Sequence, residues 1–305
     1  MSTDVVSKPS SFFLLKDRIE KEIAKSIISF GKKNKLRDGC EYALLSNGKR
    51  LRPIVVMMVA EGLGYDLDVT PAALAIEFLH TASLIADDLP CMDNDDERRD
   101  KPSLHKAYGE PVALLSSYSL IFAGYEKLYE NAELMKLAAP PFCGFAESAC
   151  CLALHHASRS AGILGATAGQ FLDLYPPNQN LEMVREVIYK KTVTLFEVAF
   201  IFGWLFGGGM VAQLDLVKKC AYHFGMAFQI ADDLGDLIQD EKNHREINAA
   251  KLLGKERAYE VFLKEMKLFE EHLAALGLKT PSFDKMCHIL SKSAHAYAQT
   301  TSRIS

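Results

Sequence analysis

Only one of the 305 residues is Trp and only 11 are Pro. Runs of alternating β-branched residues are nearly absent, which argues against a sheet-built fold. The seven Cys form no C-x-x-C pair, and Cys150 and Cys151 are adjacent. An odd count without metal-type spacing fits reduced thiols better than a disulfide framework or a zinc site. No basic stripe accompanies the net charge of −4, so nucleic acid is not expected as a partner. The longest apolar run, residues 198–212, is interrupted by Gly and too short to span a bilayer, and it reads as a buried helix pair. The segment MSTDVVSKPSSFFLLKDRIEKE has no cationic region leading into a long apolar core. Nor is it Arg-rich and acid-poor, so neither a signal nor a transit peptide is expected. These absences point to a cytoplasmic protein with no transmembrane segment.

What is present is helical. Hydrophobic residues make up 49% of the chain, enough for a sizeable core, and they recur with helical spacing. Leu15, Ile19, Ile23 and Ile27 give an amphipathic helix over 12–31. A second helical stretch, 41–62, is interrupted by SNGKRLRP, where Asn47-Gly48 is a turn signal and Pro53 sits in a restarting first turn. Thr70-Pro71 reads as an N-cap and N1 pair. Pro111 opens another helix, and Pro140-Pro141 breaks the chain. Gly162, Gly165 and Gly169 would give a helix over 161–174 a face for close packing. Further helices are expected over 181–207, 214–240, 254–276 and 283–300. With no linker and no low-complexity tract, residues 1–305 are expected to form a single all-α domain of roughly ten to twelve helices.

The functional signal is acidic. Residues 85–100, IADDLPCMDNDDERRD, hold six Asp and one Glu directly behind an apolar helical run. The chain repeats the device at Asp232, Asp233 and Asp236. His80, Leu84, Asp87 and Asp88 share one helix face, and the Pro after Leu89 can turn Asp93 back towards Asp87. Asp232 and Asp236 are one i,i+4 pair, and Gln229 and Asp233 another. Like charges at 4 Å repel by roughly 4 kcal/mol in a surface-like dielectric. Two such clusters on core-forming helices therefore suggest bound cations, and carboxylates at these spacings suit Mg²⁺ completed by phosphate and water.

Cations of that kind bridge to an anion, and the chain carries groups for one. Gly48-Lys49-Arg50-Leu51-Arg52 is a turn with three basic residues at a helix start. Arg98-Arg99 close the first acidic stretch, and Lys190-Lys191-Thr192 lie in an apolar helix. Arg binds phosphate bidentately and Lys as a point charge. Together these groups describe two polyphosphate sites, one metal-bridged and one held by basic side chains.

In order, GKRLRP, DDLPCMDNDD followed by Arg-Arg, GQ-x-x-D at 169–173, KT at Lys191-Thr192 and FQ-x-x-DD-x-x-D at 228–236 resemble the trans-isoprenyl diphosphate synthases. That family includes the geranylgeranyl and farnesyl diphosphate synthases. The resemblance runs from about residue 40 to 240. It implies a single large helical bundle of the isoprenoid synthase type, whose central cavity is lined by the two Asp-rich motifs. By position, Asp87, Asp88, Asp93, Asp232, Asp233 and Asp236 would hold two or three Mg²⁺ on an allylic diphosphate (dimethylallyl, geranyl or farnesyl). Arg98, Lys191, Thr192 and Gln229 would contact that diphosphate too. Gly48, Lys49, Arg52, His80 and Arg99 would bind isopentenyl diphosphate. Asp87, Asp88, Asp93, Arg98, Lys191, Asp232 and Asp233 would carry the catalysis. The family also implies a homodimer, for which 118–128 and 142–157 are candidate surfaces; His155-His156 then read as surface or interface residues.

The growing tail would run along the first motif's helix past Leu79, Ala82 and Ser83. Family farnesyl synthases place an aromatic ring at one of the last two positions, and here both are small. A twenty-carbon product, geranylgeranyl diphosphate, is therefore expected; a farnesyl or longer product, with Tyr118 or Phe122 closing the pocket, is the alternative. The chain departs from the family pattern at Ala86, often His, at Asp100, usually Gly, and at Ser116-Ser117, where a Gly-Asp pair is usual. It also lacks the basic loop after the second motif, where Lys242, Arg245 or Lys251 would substitute and Glu246 stands near the usual Lys. Two other readings are a noncatalytic regulatory homologue and an all-α terpene cyclase. Six retained Asp argue against the first and GKRLRP against the second.

Overall fold

A computed structural model describes residues 11–178, 180–242 and 248–299, with side chains for all of these except Ser11 and 238–242. Among them the chain forms fourteen α-helices, more than expected because two long runs are broken. They are α1 (Ser11–Ser26), α2 (Lys35–Leu44), α3 (Leu51–Leu63), α4 (Thr70–Asp87), α5 (Leu104–Tyr108), α6 (Glu110–Lys136) and α7 (Phe142–Ala161). The second half adds α8 (Ala166–Leu174), α9 (Leu181–Ile188), α10 (Thr194–Phe206), α11 (Leu214–Lys242), α12 (Ala249–Leu253), α13 (Lys255–Ala275) and α14 (Pro281–Gln299). One two-stranded hairpin, β1 (Glu97–Arg98) with β2 (Lys101–Pro102), joins α4 to α5.

The layering follows apolar content. Every residue of α10 is buried, as expected for a helix that is hydrophobic all round. It packs on α3, α7 and α11, while α4 lies along α6 and α11 along α13. Phe196, Phe200, Phe224, Phe269 and Phe283 interlock at ring-centroid distances of 5.0–6.2 Å, geometry that favours aromatic contact. The apolar run 198–212 is thus one central helix and a glycine turn, not a helix pair. No helix among the described residues is long and apolar enough to cross a membrane.

Three local expectations need correction. The N-cap position of α4 is Val69, not Thr70, and Thr70 begins the helix with its N–H donating to Asp68 Oδ1 at 2.9 Å. The stretch 161–174 is not one helix: α7 ends at Ala161 and α8 begins at Ala166, so Gly162 and Gly165 form the turn between them. A Cβ at Gly169 would lie 2.4 Å from the Lys191 backbone N of a separate segment, whereas at Gly162 and Gly165 it would meet the Ser158 and Ser160 carbonyls at the end of α7, at 2.5 and 1.9 Å. Finally, 181–207 contains one π-helical turn, Tyr189–Val193, between α9 and α10. Such turns aim side chains out of helical register and recur at functional sites; this one carries Lys190, Lys191 and Thr192.

Candidate active site

The first acidic cluster sits where α4 stops. Beyond Asp87 the chain curls back, the Asp93 N–H donating to the Asp87 carbonyl at 2.9 Å, so the expected return of Asp93 is found. Burial pushes the Asp87 carboxyl up to about 7; Lys191 opposes the rise and Asp93 adds to it. Asp88 is buried and also raised by burial, against the pull of Arg98. Arg98 grips it with Nε, at 2.9 Å from Oδ1 and 3.2 Å from Oδ2, and with Nη2 as well. Gln170 donates to Asp93 Oδ1 at 2.9 Å.

The second cluster lies within α11. Asp232 accepts from Lys49 Nζ at 3.1 Å across 183 residues of sequence, with Lys49 also 5.8 Å from the Phe228 ring. Behind that pair an apolar cavity of about 380 Å³ is walled by Phe12, Phe224, Phe228 and Tyr297. Asp233 is different. Its Oδ1 accepts from Gln229 at 2.8 Å and its Oδ2 from the Ala249 N–H at 2.7 Å, while Thr192 Oγ1 donates to Gln229 at 2.8 Å. Thr192, Gln229 and Asp233 therefore form one chain that ties the π turn to α11 and α12. Asp236 is exposed.

Basic groups fill the space between. Arg52 Nη1 lies 3.1 Å from His80 Nε2, and its guanidinium stacks 4.5 Å from the Phe196 ring, a favourable cation–π geometry. Burial brings the Arg52 pKa down to about 10, against the pull of Glu77 and Asp232. Burial, then Arg52 and Arg99, hold His80 far below its usual value, hence neutral. Arg52 Nε and His80 Nδ1 are buried without a hydrogen-bond partner, orphans of the kind a ligand satisfies. Gly48 is a close-approach glycine: a Cβ would stand 2.8 Å from Arg99 Nη1. Lys191 Nζ reaches Asp173 Oδ2 at 2.5 Å. Burial works against its charge, but Asp173, Asp87 and Asp93 hold its pKa above the usual value.

The structure thus brings Lys49, Arg52, His80, Arg98, Arg99 and Lys191 among the carboxylates of both motifs. It takes Arg50 away. That guanidinium is buried, pairing with Glu77 and with Glu20 at 2.8 Å, and donating to the Leu44 and Ser46 carbonyls at 2.6 and 2.8 Å. Sequence reasoning used Gln170 and Asp173 only as signature letters; their contacts to Asp93 and Lys191 make them site residues. Of the expected substitutes for the missing basic loop, Arg245 lies outside the described residues, as does Glu246, and the Lys242 side chain is not described. Lys251 is exposed on α12.

Among the described residues, no three acidic, His or Cys side chains converge closely enough to cage an ion by themselves. The donor set fits an ion that takes only one or two carboxylates from each motif and completes its shell with phosphate and water. The half-buried Asp87, pushed up chiefly by desolvation with Asp93 and Asp88 adding to it, has the electrostatics such an ion would relieve.

Fold and site define an all-α protein whose two aspartate motifs face a shared set of basic side chains. The chain belongs to the polyprenyl synthetase family, whose sequence profile matches residues 33–250. It is 34% identical over 262 residues to the heterodimeric geranylgeranyl pyrophosphate synthase large subunit 2 of Arabidopsis thaliana, an alignment covering 81% of this chain and 66% of that protein. It is 34% identical to geranylgeranyl pyrophosphate synthase 7, chloroplastic, of the same plant, over 76% and 66%. The chain spans about two thirds of the length of these relatives. Among solved structures it resembles an FPP/GFPP synthase from Zymomonas mobilis (TM-score 0.78, 28% identity, 92% of this chain and 98% of that one). It also resembles a geranyltransferase from Legionella pneumophila (TM-score 0.78, 27% identity, 94% and 100%). One relative's name places it in the chloroplast, so the likeness does not itself put this chain in the cytoplasm.

Proposed function

We propose that this chain is a trans-prenyltransferase that joins isopentenyl diphosphate head-to-tail to an allylic diphosphate, with geranylgeranyl diphosphate (C20) as product. The observation that carries the reading is the meeting of the two halves. Lys49 of the basic turn contacts Asp232 of the second motif, while Lys191 is drawn to Asp87 and Asp93 of the first.

In this reading Asp87, Asp88, Asp93 and Asp232 hold Mg²⁺, with Asp236 near the entrance and Asp233 seated beneath. When bound, the metal supplies positive charge to a departing diphosphate. The chain's own groups do the rest. Lys49, Arg52, Arg99 and neutral His80 hold isopentenyl diphosphate against the backbone at Gly48. Arg98, Lys191 and the Thr192–Gln229 pair bind the allylic diphosphate and stabilise the charge it gains as the C–O bond breaks. The isopentenyl double bond then attacks the allylic cation, and a proton passes to the released diphosphate. The buried faces of α4 and α10 keep water from the cation.

The product length rests on the tail's path. Leu79 and Ala82 are buried, at 6% and 1% exposure, and Ser83 is half-buried. Tyr118 and Phe122 are exposed on α6, at 51% and 69%, so within this chain they do not form a floor. Together with Leu115 and Tyr129, both at least half exposed, they make an apolar stripe that supports a homodimer. Incubation with isopentenyl diphosphate, Mg²⁺ and each allylic primer tests the reading, and absence of any condensed product sinks it. Ala82→Tyr is expected to shorten the product by one isoprene unit; an unchanged chain length rules out this ruler.

A further inference from the structure

The π turn has a second face that the reaction does not use. Lys191 points to the carboxylates, whereas Tyr189, two residues earlier, is carried to the other side. There a space of about 630 Å³ opens between the end of α7, α10 and α11, large enough for a small organic ligand. Its mouth is strongly basic. Arg159 on α7 and Lys219 on α11 are exposed and make no ion pair among the described residues. Lys218 has only a 3.8 Å contact with the 94%-exposed Asp215. Burial, then Lys218, His155 and Arg159, push His156 down to about 4, so the field there is positive. The one acid in the lining is Glu197 on α10, 8% exposed and hydrogen-bonded to Tyr189.

We propose that this cavity is a second binding site, for a phosphate-bearing small molecule, with the phosphate on Arg159, Lys218 and Lys219 and the rest of the ligand towards Tyr189 and Glu197. Three cations on two helices around one concavity match a dianion better than a single carboxylate, the Arg giving two directed donors and each Lys a point charge. The body of the ligand meets a carboxyl that accepts a hydroxyl or amine and the Tyr189 and Tyr222 rings, 5.9 Å apart. Because Tyr189 shares the π turn with Lys191, occupation of the cavity adjusts how Lys191 sits over Asp173 and so tunes the active site. That coupling rests on the function proposed above; the binding does not.

Calorimetric titration of the full chain with glycerol 3-phosphate tests the site. Two multiple variants separate the surfaces: Arg159→Ala with Lys218→Ala and Lys219→Ala for the cavity, and Arg98→Ala with Lys191→Ala for the active site. The first is expected to weaken binding at least tenfold while keeping the wild-type melting temperature and basal condensation rate; the second is expected to retain the cavity binding. Equal binding by the cavity variant and the wild type overturns the proposal, as does loss of all binding in the active-site variant or no saturable binding to the wild type. For the coupling, saturating glycerol 3-phosphate is expected to change the condensation rate of the wild type at fixed substrate but not that of the cavity variant; identical responses remove it. A chain that binds in the expected pattern yet condenses nothing leaves the cavity standing and defeats the proposed function alone.

Discussion

The two aspartate motifs look alike in sequence but are built for different work. In the first, the helix ends and the chain curls so that the Asp93 backbone returns to Asp87, and Asp87 takes no side-chain hydrogen bond among the described residues. In the second, the helix runs on, and rotation along it separates the three. Asp232 faces Lys49, Asp233 turns into a closed hydrogen-bond chain and Asp236 reaches solvent. A half-buried carboxylate without a side-chain partner is suited to a ligand, whereas a buried one with both oxygens satisfied is suited to holding the fold. Both motifs also store their cations on their own acids: Arg98 on Asp88, Lys49 on Asp232, and Lys191 on the neighbouring Asp173. Substrate and metal would exchange these pairs, so the site is held charge-matched before they arrive.

The largest test of that contrast is catalytic. Asp87→Asn and Asp232→Asn are each expected to lower kcat/KM by about 10²–10³-fold, the range seen when one preorganised electrostatic partner is lost, with little change in melting temperature. Steady-state condensation assays beside thermal melts would decide it. An Asp232→Asn enzyme with full activity would leave the second motif without a metal-binding member.

Next comes pH. The folded chain holds a proton on Asp87 up to about 7, while an ordinary Asp carboxyl releases it at 3.8. Between those values the folded state binds more protons than the unfolded one, so stability of the metal-free protein falls as pH rises, by up to about 1.4 kcal/mol per pH unit. Chemical denaturation from pH 4 to 7 should show this decline, and Asp87→Asn should flatten it. Identical slopes for the two proteins would mean that Asp87 is not the buried acid.

Asp233 supplies the opposite result. Asp233→Ala strands the buried Ala249 N–H and the Gln229 amide, so it is expected to cost about 1–3 kcal/mol of stability, read as a lowered urea midpoint. If instead it abolishes activity with an unchanged midpoint, the division of labour within the second motif is wrong.

The all-α class, the helices bearing both motifs and the return of Asp93 were legible because periodicity and a Pro turn are local signals. What was not legible depended on distant partners. Three basic residues at 49, 50 and 52 look equivalent, and only Glu20 and Glu77, brought in by α1 and α4, draw Arg50 into the core. The π turn leaves the apolar pattern of its helix intact, so periodicity could not reveal it. Gly162 and Gly165 imitated a packing face, although they crowd the end of their own α7 while Gly169 meets the π turn. In the acidic motifs, spacing found the carboxylates but not which of them would be satisfied, because Gln229 and Ala249 decide that.

The smallest effect concerns the first motif's own exception. Asp100 ends the acidic stretch at a position where the family resemblance leads to the expectation of Gly. The hairpin accounts for it: Glu97 pairs with Pro102 and Arg98 with Lys101, leaving Arg99 and Asp100 as a two-residue turn with φ of 55° and 62°. Such turns need left-handed backbone at both positions, which Gly adopts freely and Asp tolerates better than most residues. Asp100 would thus serve the first motif as Asp233 is proposed to serve the second, by holding shape. In Asp100→Gly, relief of the folded backbone is offset by the greater freedom of Gly in the unfolded chain, so stability should move by no more than about 0.5 kcal/mol. Condensation kinetics should match the wild type, since Arg98 and Arg99 keep their places on either side of Asp88 and Gly48. A tenfold fall in kcat/KM for Asp100→Gly, with the hairpin intact, would give this carboxylate a chemical role and put a fourth working acid in the first motif.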